Sequence, residues 1–285
     1  ILVGACALAK AVQWMGQGSA PFADVTLVAE SGNGERIKIS VHRAVLSAWS
    51  LPFRKMFTSK RFNKIRFGSE VPIPVANPSV FREFIRFMYI PVARLQKSNA
   101  IQMLQMADYW QVRELRSQCL RFIKATTTVN ELPKVWEVAE GIYCHSLKRY
   151  CCEFAAKNIR ECHENLSSSQ LAAALARDDL GIADEKEVFE IIKKRIRTLR
   201  KTLEGDSKVR PESIEEDIVA LLRSVRISNL PQGYYDVAEL KGPNGRPKPA
   251  YMEALLQATG TSSSKERLGL RFTSVDEVQE KMYVR

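Results

Sequence analysis

The sequence predicts an α+β domain followed by an all-α domain. Three observations carry that expectation. First, two β-prone runs, residues 25–29 and 37–41, flank the turn cluster Ser31-Gly32-Asn33-Gly34, the pattern of a hairpin. Second, strand signals largely stop beyond residue 125 and helical apolar spacing takes over, which is the order of an α+β unit followed by helices. Third, 285 residues suffice for two domains of roughly 100–200 residues each.

The elements follow in order. Leu8, Ala11, Val12 and Met15 fall at i, i+3, i+4 and i+7, the stripe of an amphipathic helix ahead of the hairpin. After the hairpin come two short helices, the second carrying Phe53, Met56 and Phe57. Leu51-Pro52 separates them, because proline disfavours helix in the residue before it. Residues 61–64 form a basic loop. Residues 70–75 are extended, and Pro72 and Pro74 confine that strand to an edge. Asn77-Pro78 reads as an N-cap followed by a first-turn proline, with Val80, Phe81, Phe84 and Met88 facing inward. Ser98 is expected to cap the next helix, whose inward residues are Ile101, Leu104 and Ala107. Val112, Leu115, Cys119 and Phe122 mark another.

Thr126-Thr127-Thr128 is a short linker, and helices are expected over 132–142, 145–159, 168–176, 184–203, 211–225 and 234–240. The 184–203 helix is the clearest. Phe189, Ile192, Ile196, Leu199 and Leu203 alternate steps of three and four, with acids in the first turn and cations in the last, complementing the helix dipole. Residues 242–249, with two glycines and three prolines, read as loop, and Thr261-Ser262-Ser263-Ser264 as a flexible linker.

Composition narrows the function classes. A 45% hydrophobic and 26% charged chain with no apolar run near ~20 residues reads as a soluble globular protein without a membrane span. The chain begins at Ile1, so a fragment or processed product is expected. Leu2-Val3-Gly4-Ala5-Cys6 lacks the basic stretch that precedes a lipoprotein cleavage site. A net charge of +11 suits nucleic acid, an anionic membrane or an acidic protein, and does not choose among them. The six cysteines, Cys6, Cys119, Cys144, Cys151, Cys152 and Cys162, contain no C-x-x-C pair and read as reduced, packed thiols. Cys151 shares a helical apolar stripe with Leu147, Phe154 and Ala155, so neither metal nor other cofactor is expected there. His42 could be a base or ligand, but no nearby Ser, Cys or carboxylate completes a catalytic set with it. No phosphate loop, nucleophile elbow or paired-His motif occurs, and the chain is read as a non-enzyme.

The segment from Asp24-Val25 through His42-Arg43-x-x-Leu46 to Phe53-x-x-Met56-Phe57 resembles the opening of the BTB (POZ) domain. Residues 132–139, 147–154, Asp178-Asp179-Leu180, Glu187-Val188-Phe189 and Leu221-Leu222-x-x-Val225-Arg226-Ile227 resemble the BACK segment that follows BTB in kelch-like proteins. The resemblance implies a BTB/POZ domain over 1–125, a BACK domain over 126–259, and a linker or following segment over 260–285. It implies a homodimer interface using Leu8, Val12, Met15, Asp24 and Arg43, with Arg43 bonding either within the domain or across the dimer. It also implies an intracellular adaptor, cytoplasmic or nuclear, that joins a substrate-binding domain not included in these residues to a cullin-3 ubiquitin ligase.

Met56, Phe57, Phe62 and Lys64 would form the cullin surface. Cullin-binding relatives carry an apolar-x-Glu motif there, and the match here is Phe62-Asn63-Lys64, with a cation in place of the acid. A BTB–BACK scaffold that binds no cullin is the alternative. A third reading, weak nucleic-acid binding, rests on two basic runs. One is Lys60, Arg61, Lys64 and Arg66 with Phe62 and Phe67 interleaved; the other is the patch Lys193, Lys194, Arg197 and Lys201, which as a rule is a solvated helix face.

Overall fold

The computed structural model describes residues 22–58, 68–182, 184–205, 210–225, 240–241 and 248–259. The expected helix at residues 8–15, the basic loop, most of the 234–240 helix and the 261–264 linker lie outside the described residues. The chain divides into two compact units: Ile1–Thr127 with Val138–Leu147, and Thr128–Glu137 with Lys148–Arg285.

The first unit is built on a three-stranded sheet of order β2-β1-β3. β1 (Val25–Glu30) and β2 (Arg36–Val41) form the hairpin, with Val25 opposite Val41 and Glu30 opposite Arg36. Gly34 takes a left-handed φ of 87° in the turn, a conformation glycine reaches without a Cβ penalty. β3 (Ser69–Pro74) lies parallel to β1 on its other side, as the edge strand its prolines require. β1 is central, and its consecutive Leu27, Val28 and Ala29 are all buried, so both faces are covered.

Among the described residues five helices complete this part of the chain: α1 (Arg43–Trp49), α2 (Leu51–Thr58), α3 (Pro78–Phe87), α4 (Ala100–Tyr109) and α5 (Arg113–Thr126). Asn77 caps α3 as its sequence suggests, its side chain accepting from the N–H groups of Ser79 and Val80 at 3.0 and 3.1 Å. α3 packs on β1 and β2, and its Phe81, Phe84, Ile85 and Phe87 are fully buried. The expected Ser98 cap is corrected: α4 starts at Ala100, with Asn99 in the cap position. The Asn99 side chain is turned away from the helix. It accepts from the Gln96 N–H at 2.9 Å and donates to the Arg94 carbonyl at 3.0 Å, ordering the approach to α4. The inward phase of α4 is also shifted, to Ala100, Met103, Leu104 and Ala107.

The chain continues through α6 (Leu132–Gly141), α7 (His145–Lys157), α8 (Ile159–Cys162), α9 (Ser168–Leu175), α10 (Glu185–Gly205), α11 (Pro211–Leu222) and α12 (Pro249–Thr259). The helix expected over 145–159 breaks at Asn158, whose side-chain amide donates to the Phe154 carbonyl at 2.8 Å. α9 opens on a reciprocal capping box between Ser167 and Gln170. α10 buries Phe189, Ile192 and Ile196 completely. α11 packs on α9, α10 and α12 through Ile214, Ile218, Leu221 and Leu222.

α12 was not anticipated from the sequence. Its Tyr251 is fully buried and donates its hydroxyl hydrogen to Glu215 Oε2 at 2.5 Å, while Lys248 Nζ donates to Oε1 at 2.6 Å. No helix among the described residues is long and apolar enough to cross a membrane.

Candidate partner surface

A groove lies in the first unit, beside Met56 of α2. Every fourth or third residue of α4 on one face, Gln102, Gln105, Met106 and Tyr109, points the same way, the i, i+3, i+4, i+7 geometry of a helix. Opposite them stand Met56 of α2, Ile73 and Pro74 of β3, and Val75 and Ala76 beyond it. Together with Trp110 they enclose a groove of about 410 Å³. Its lining carries no formal charge.

The floor is rigid for identifiable reasons. Trp110 stacks on Phe53 with ring centroids 3.9 Å apart and planes 7° from parallel, and Phe53 in turn stacks on Phe57 at 5.9 Å. Tyr109 stands edge-on to Trp110 at 5.2 Å while its own side chain is 72% exposed. Ser50, fully buried, ties this ladder to the backbone: its hydroxyl donates to the Trp110 carbonyl at 2.7 Å and accepts from the Phe53 N–H at 3.2 Å. The groove therefore offers an exposed aromatic lip on a fixed base, with two pliable thioethers, Met56 and Met106, in its walls.

The residues singled out from sequence fare unequally. Met56 lines the groove. Phe57 does not: it is 8% exposed and belongs to the core beneath, because the helix phase that presents Met56 turns Phe57 inward. Phe62 and Lys64 lie outside the described residues, as do Lys60, Arg61, Arg66 and Phe67 and the expected interface residues Leu8, Val12 and Met15. Gln102, Gln105, Met106, Tyr109 and Trp110 were missed. Their signal was present in the spacing of 102, 105, 106 and 109, but the eye follows the apolar stripe of α4 and not its mixed face.

Asp24 and Arg43 meet within one chain. The Arg43 N–H donates to Asp24 Oδ1 at 2.8 Å and its Nε to Oδ2 at 2.9 Å. The carboxylate thus serves the first turn of α1, whose cap residue His42 makes no side-chain cap bond. Burial works against the Asp24 charge, but the Arg43 amide and guanidinium outweigh it and hold the carboxyl below its usual range. His42 packs as expected of a structural residue. Its N–H donates to the Tyr89 hydroxyl oxygen at 2.9 Å and its Nδ1 lies 3.0 Å from the same oxygen. Burial pushes the Tyr89 phenol up to about 12, keeping it neutral in that role.

The basic run of α10 does not form one cationic face. Lys193 is buried, ion-paired with Glu190 and placed 5.6 Å over the Phe189 ring. Lys194 pairs with Glu164. Arg195 donates to the carbonyls of His163 and Leu166, closing the turn after α8. Arg197 and Lys201 are exposed. The described cysteines, Cys119, Cys144, Cys151, Cys152 and Cys162, are all free thiols, and Cys6 lies outside the described residues. Burial raises the Cys119 thiol to about 12 and the Cys162 thiol to about 11, so neither supplies a thiolate at neutral pH. Among the described residues no group of three His, Cys, Asp or Glu side chains is placed to hold a metal ion.

In the first unit, a small mixed sheet covered by helices and an uncharged groove with an aromatic floor have the layout of a protein-binding module. The BTB/POZ domain family matches residues 16–127, and the BACK family (BTB And C-terminal Kelch) matches residues 133–237. The chain therefore carries a BTB/POZ domain followed by a BACK domain. It is similar to Kelch-like protein 7 of Rattus norvegicus, Mus musculus and Homo sapiens, at 25% identity over 158 residues in each case. The match covers 54% of this chain and 27% of each relative, so it spans about a quarter of their length. Among solved structures, the BTB domain of zebrafish PATZ1 matches with a TM-score of 0.35 and 24% identity, covering 43% of this chain and 92% of that one.

Proposed function

We propose that the chain is a homodimeric BTB–BACK adaptor that links a substrate-recognition domain to a cullin-3 ubiquitin ligase and has no chemistry of its own. In this reading the BTB unit occupies residues 1–125, the BACK unit 126–259, and residues 260–285 lead onward. The observation that carries it is the groove at Met56, Met106 and Tyr109. An uncharged trough with a protruding tyrosine on a stacked aromatic base suits an amphipathic helix laid into it. Dimerisation would run through the segment carrying Leu8, Val12 and Met15, for which the sequence spacing predicts a helix, together with Asp24 and Arg43. Light scattering then gives about twice the 32.3 kDa chain mass.

Calorimetry against the cullin-3 N-terminal fragment tests the reading. The parent chain binds, Tyr109→Ala weakens binding about tenfold or more as a central aromatic anchor should, and Lys64→Glu tightens it. No heat from either the parent or the Lys64→Glu variant replaces this reading with the scaffold that binds no cullin, which the Phe62-Asn63-Lys64 sequence favours.

A further inference from the structure

Gln102 lines the groove from α4, and its Oε1 is buried without a hydrogen-bond partner. Among the described residues no other buried side-chain oxygen or nitrogen is left so. An unmade bond of this kind is unfavourable, and a leucine of similar size would remove the penalty outright. The terminal torsion of a glutamine is broad, so the amide turns toward the cavity at little cost, and the Met56 and Met106 thioethers beside it yield readily.

Charge narrows what would meet it. The ten lining residues are uncharged, so a lysine or arginine head entering the groove would find no counter-ion and lose its water. At the border the balance differs. Lys55, immediately before Met56, is exposed, whereas the acid next to Tyr109, Asp108, is engaged by Arg116 at 2.9 Å. The complementary ligand is therefore neutral inside and acidic at its flanks.

We propose that Gln102 is a specificity-determining residue of this groove: its amide oxygen accepts a hydrogen bond from an uncharged partner side chain that has an apolar body and a donor at its tip, a phenol or an indole, on a helix flanked by carboxylates. This rests on the cullin-adaptor reading, in which that helix belongs to the cullin N-terminal domain. The chain keeps an unsatisfied acceptor when free because the partner supplies the donor when bound.

The test uses the whole chain, the cullin-3 N-terminal fragment, and the variants Gln102→Leu and Gln102→Met. Thermal unfolding should show Gln102→Leu as stable as the parent or more so, while calorimetry shows its affinity weakened about tenfold, the scale of one lost hydrogen bond with its donor stranded. Gln102→Met repeats the measurement should leucine impair folding. In a matched series, each tyrosine of the fragment is replaced by phenylalanine and each tryptophan by phenylalanine. One replacement should weaken binding to the parent by the same factor and leave binding to Gln102→Leu unchanged. Affinity of Gln102→Leu or Gln102→Met equal to or tighter than the parent overturns the inference and leaves the adaptor reading standing. So does a parent indifferent to every replacement. Absence of binding by both the parent and Lys64→Glu overturns both; if Lys64→Glu alone binds, the same comparisons are made in that background.

Discussion

Among the described glycines whose surroundings the structure gives, Gly181 has the closest backbone against an added methyl group, so Gly181→Ala is expected to be costly. Gly181 follows Asp178-Asp179-Leu180 and lies against the end of α7, where its N–H donates to the Ala156 carbonyl at 2.8 Å. A Cβ built there overlaps the Lys157 carbonyl oxygen and comes within 3.0 Å of the carbonyl carbon. Backbone cannot swing aside as a side-chain tip can, so the two segments must separate. Forced overpacking costs about 1–3 kcal/mol, and stretching the Gly181–Ala156 bond adds about 1 kcal/mol. A loss of about 3 kcal/mol is the working value, which lowers the melting temperature of a domain this size by about 10 °C. Gly32→Ala is the control. Gly32 has nothing within 4 Å of its added Cβ, and its cost should stay within about 0.5 kcal/mol. Calorimetric melting of parent and both variants decides. A Gly181→Ala transition within about 2 °C of the parent would refute the close-approach argument.

Two further outcomes are expected. Ser50→Ala removes both the donor to the Trp110 carbonyl and the acceptor for the Phe53 N–H, and should cost about 1–3 kcal/mol in denaturant unfolding; an unchanged midpoint would mean that the aromatic ladder holds without its anchor. Asp24 has a folded pKa below its unfolded value, so its contribution is fully present above about 4 and is lost as pH falls through the lower folded value. Asp24→Asn should therefore lower stability at neutral pH and flatten the acid limb of the pH–stability curve, and curves that run parallel below pH ~4 would contradict this.

The fold was legible wherever residues act locally. Periodicity placed the hairpin, and two prolines placed β3 at the sheet edge. Asn77 capped α3 because the cap is a dialogue between a side chain and amides two and three residues away. Sequence failed where the deciding contact is distant. Asn99 takes the cap position of α4 while its side chain turns back to Arg94 and Gln96. α12 follows a stretch rich in glycine and proline and is held by Glu215, 36 residues before Tyr251. Nothing near Gly181 in sequence announces Lys157. The groove was half legible for the same reason. Met56 stood out as an apolar residue on a short helix, but Phe57 beside it has the same character, and only the fold reveals which of the two faces the core.

Charge shows the same gap between composition and surface. A stretch holding Lys193, Lys194, Arg195, Arg197, Arg200 and Lys201 reads as one cationic stripe, yet a helix distributes successive residues about 100° apart. Lys193 is turned inward against Phe189 and Glu190, Arg195 is consumed by backbone carbonyls, and Lys194 is countered by Glu164. Arg200 lies near enough to Glu215 to favour its charged form. A surface that tracks phosphates releases counter-ions only from cations whose charge is still uncompensated. On α10 most of that charge is already spent on organising the helical unit. The run is therefore better understood as the framework of α8 to α12 than as a docking stripe, and on the proposed reading the groove between α2, β3 and α4 is the surface on which partner choice turns.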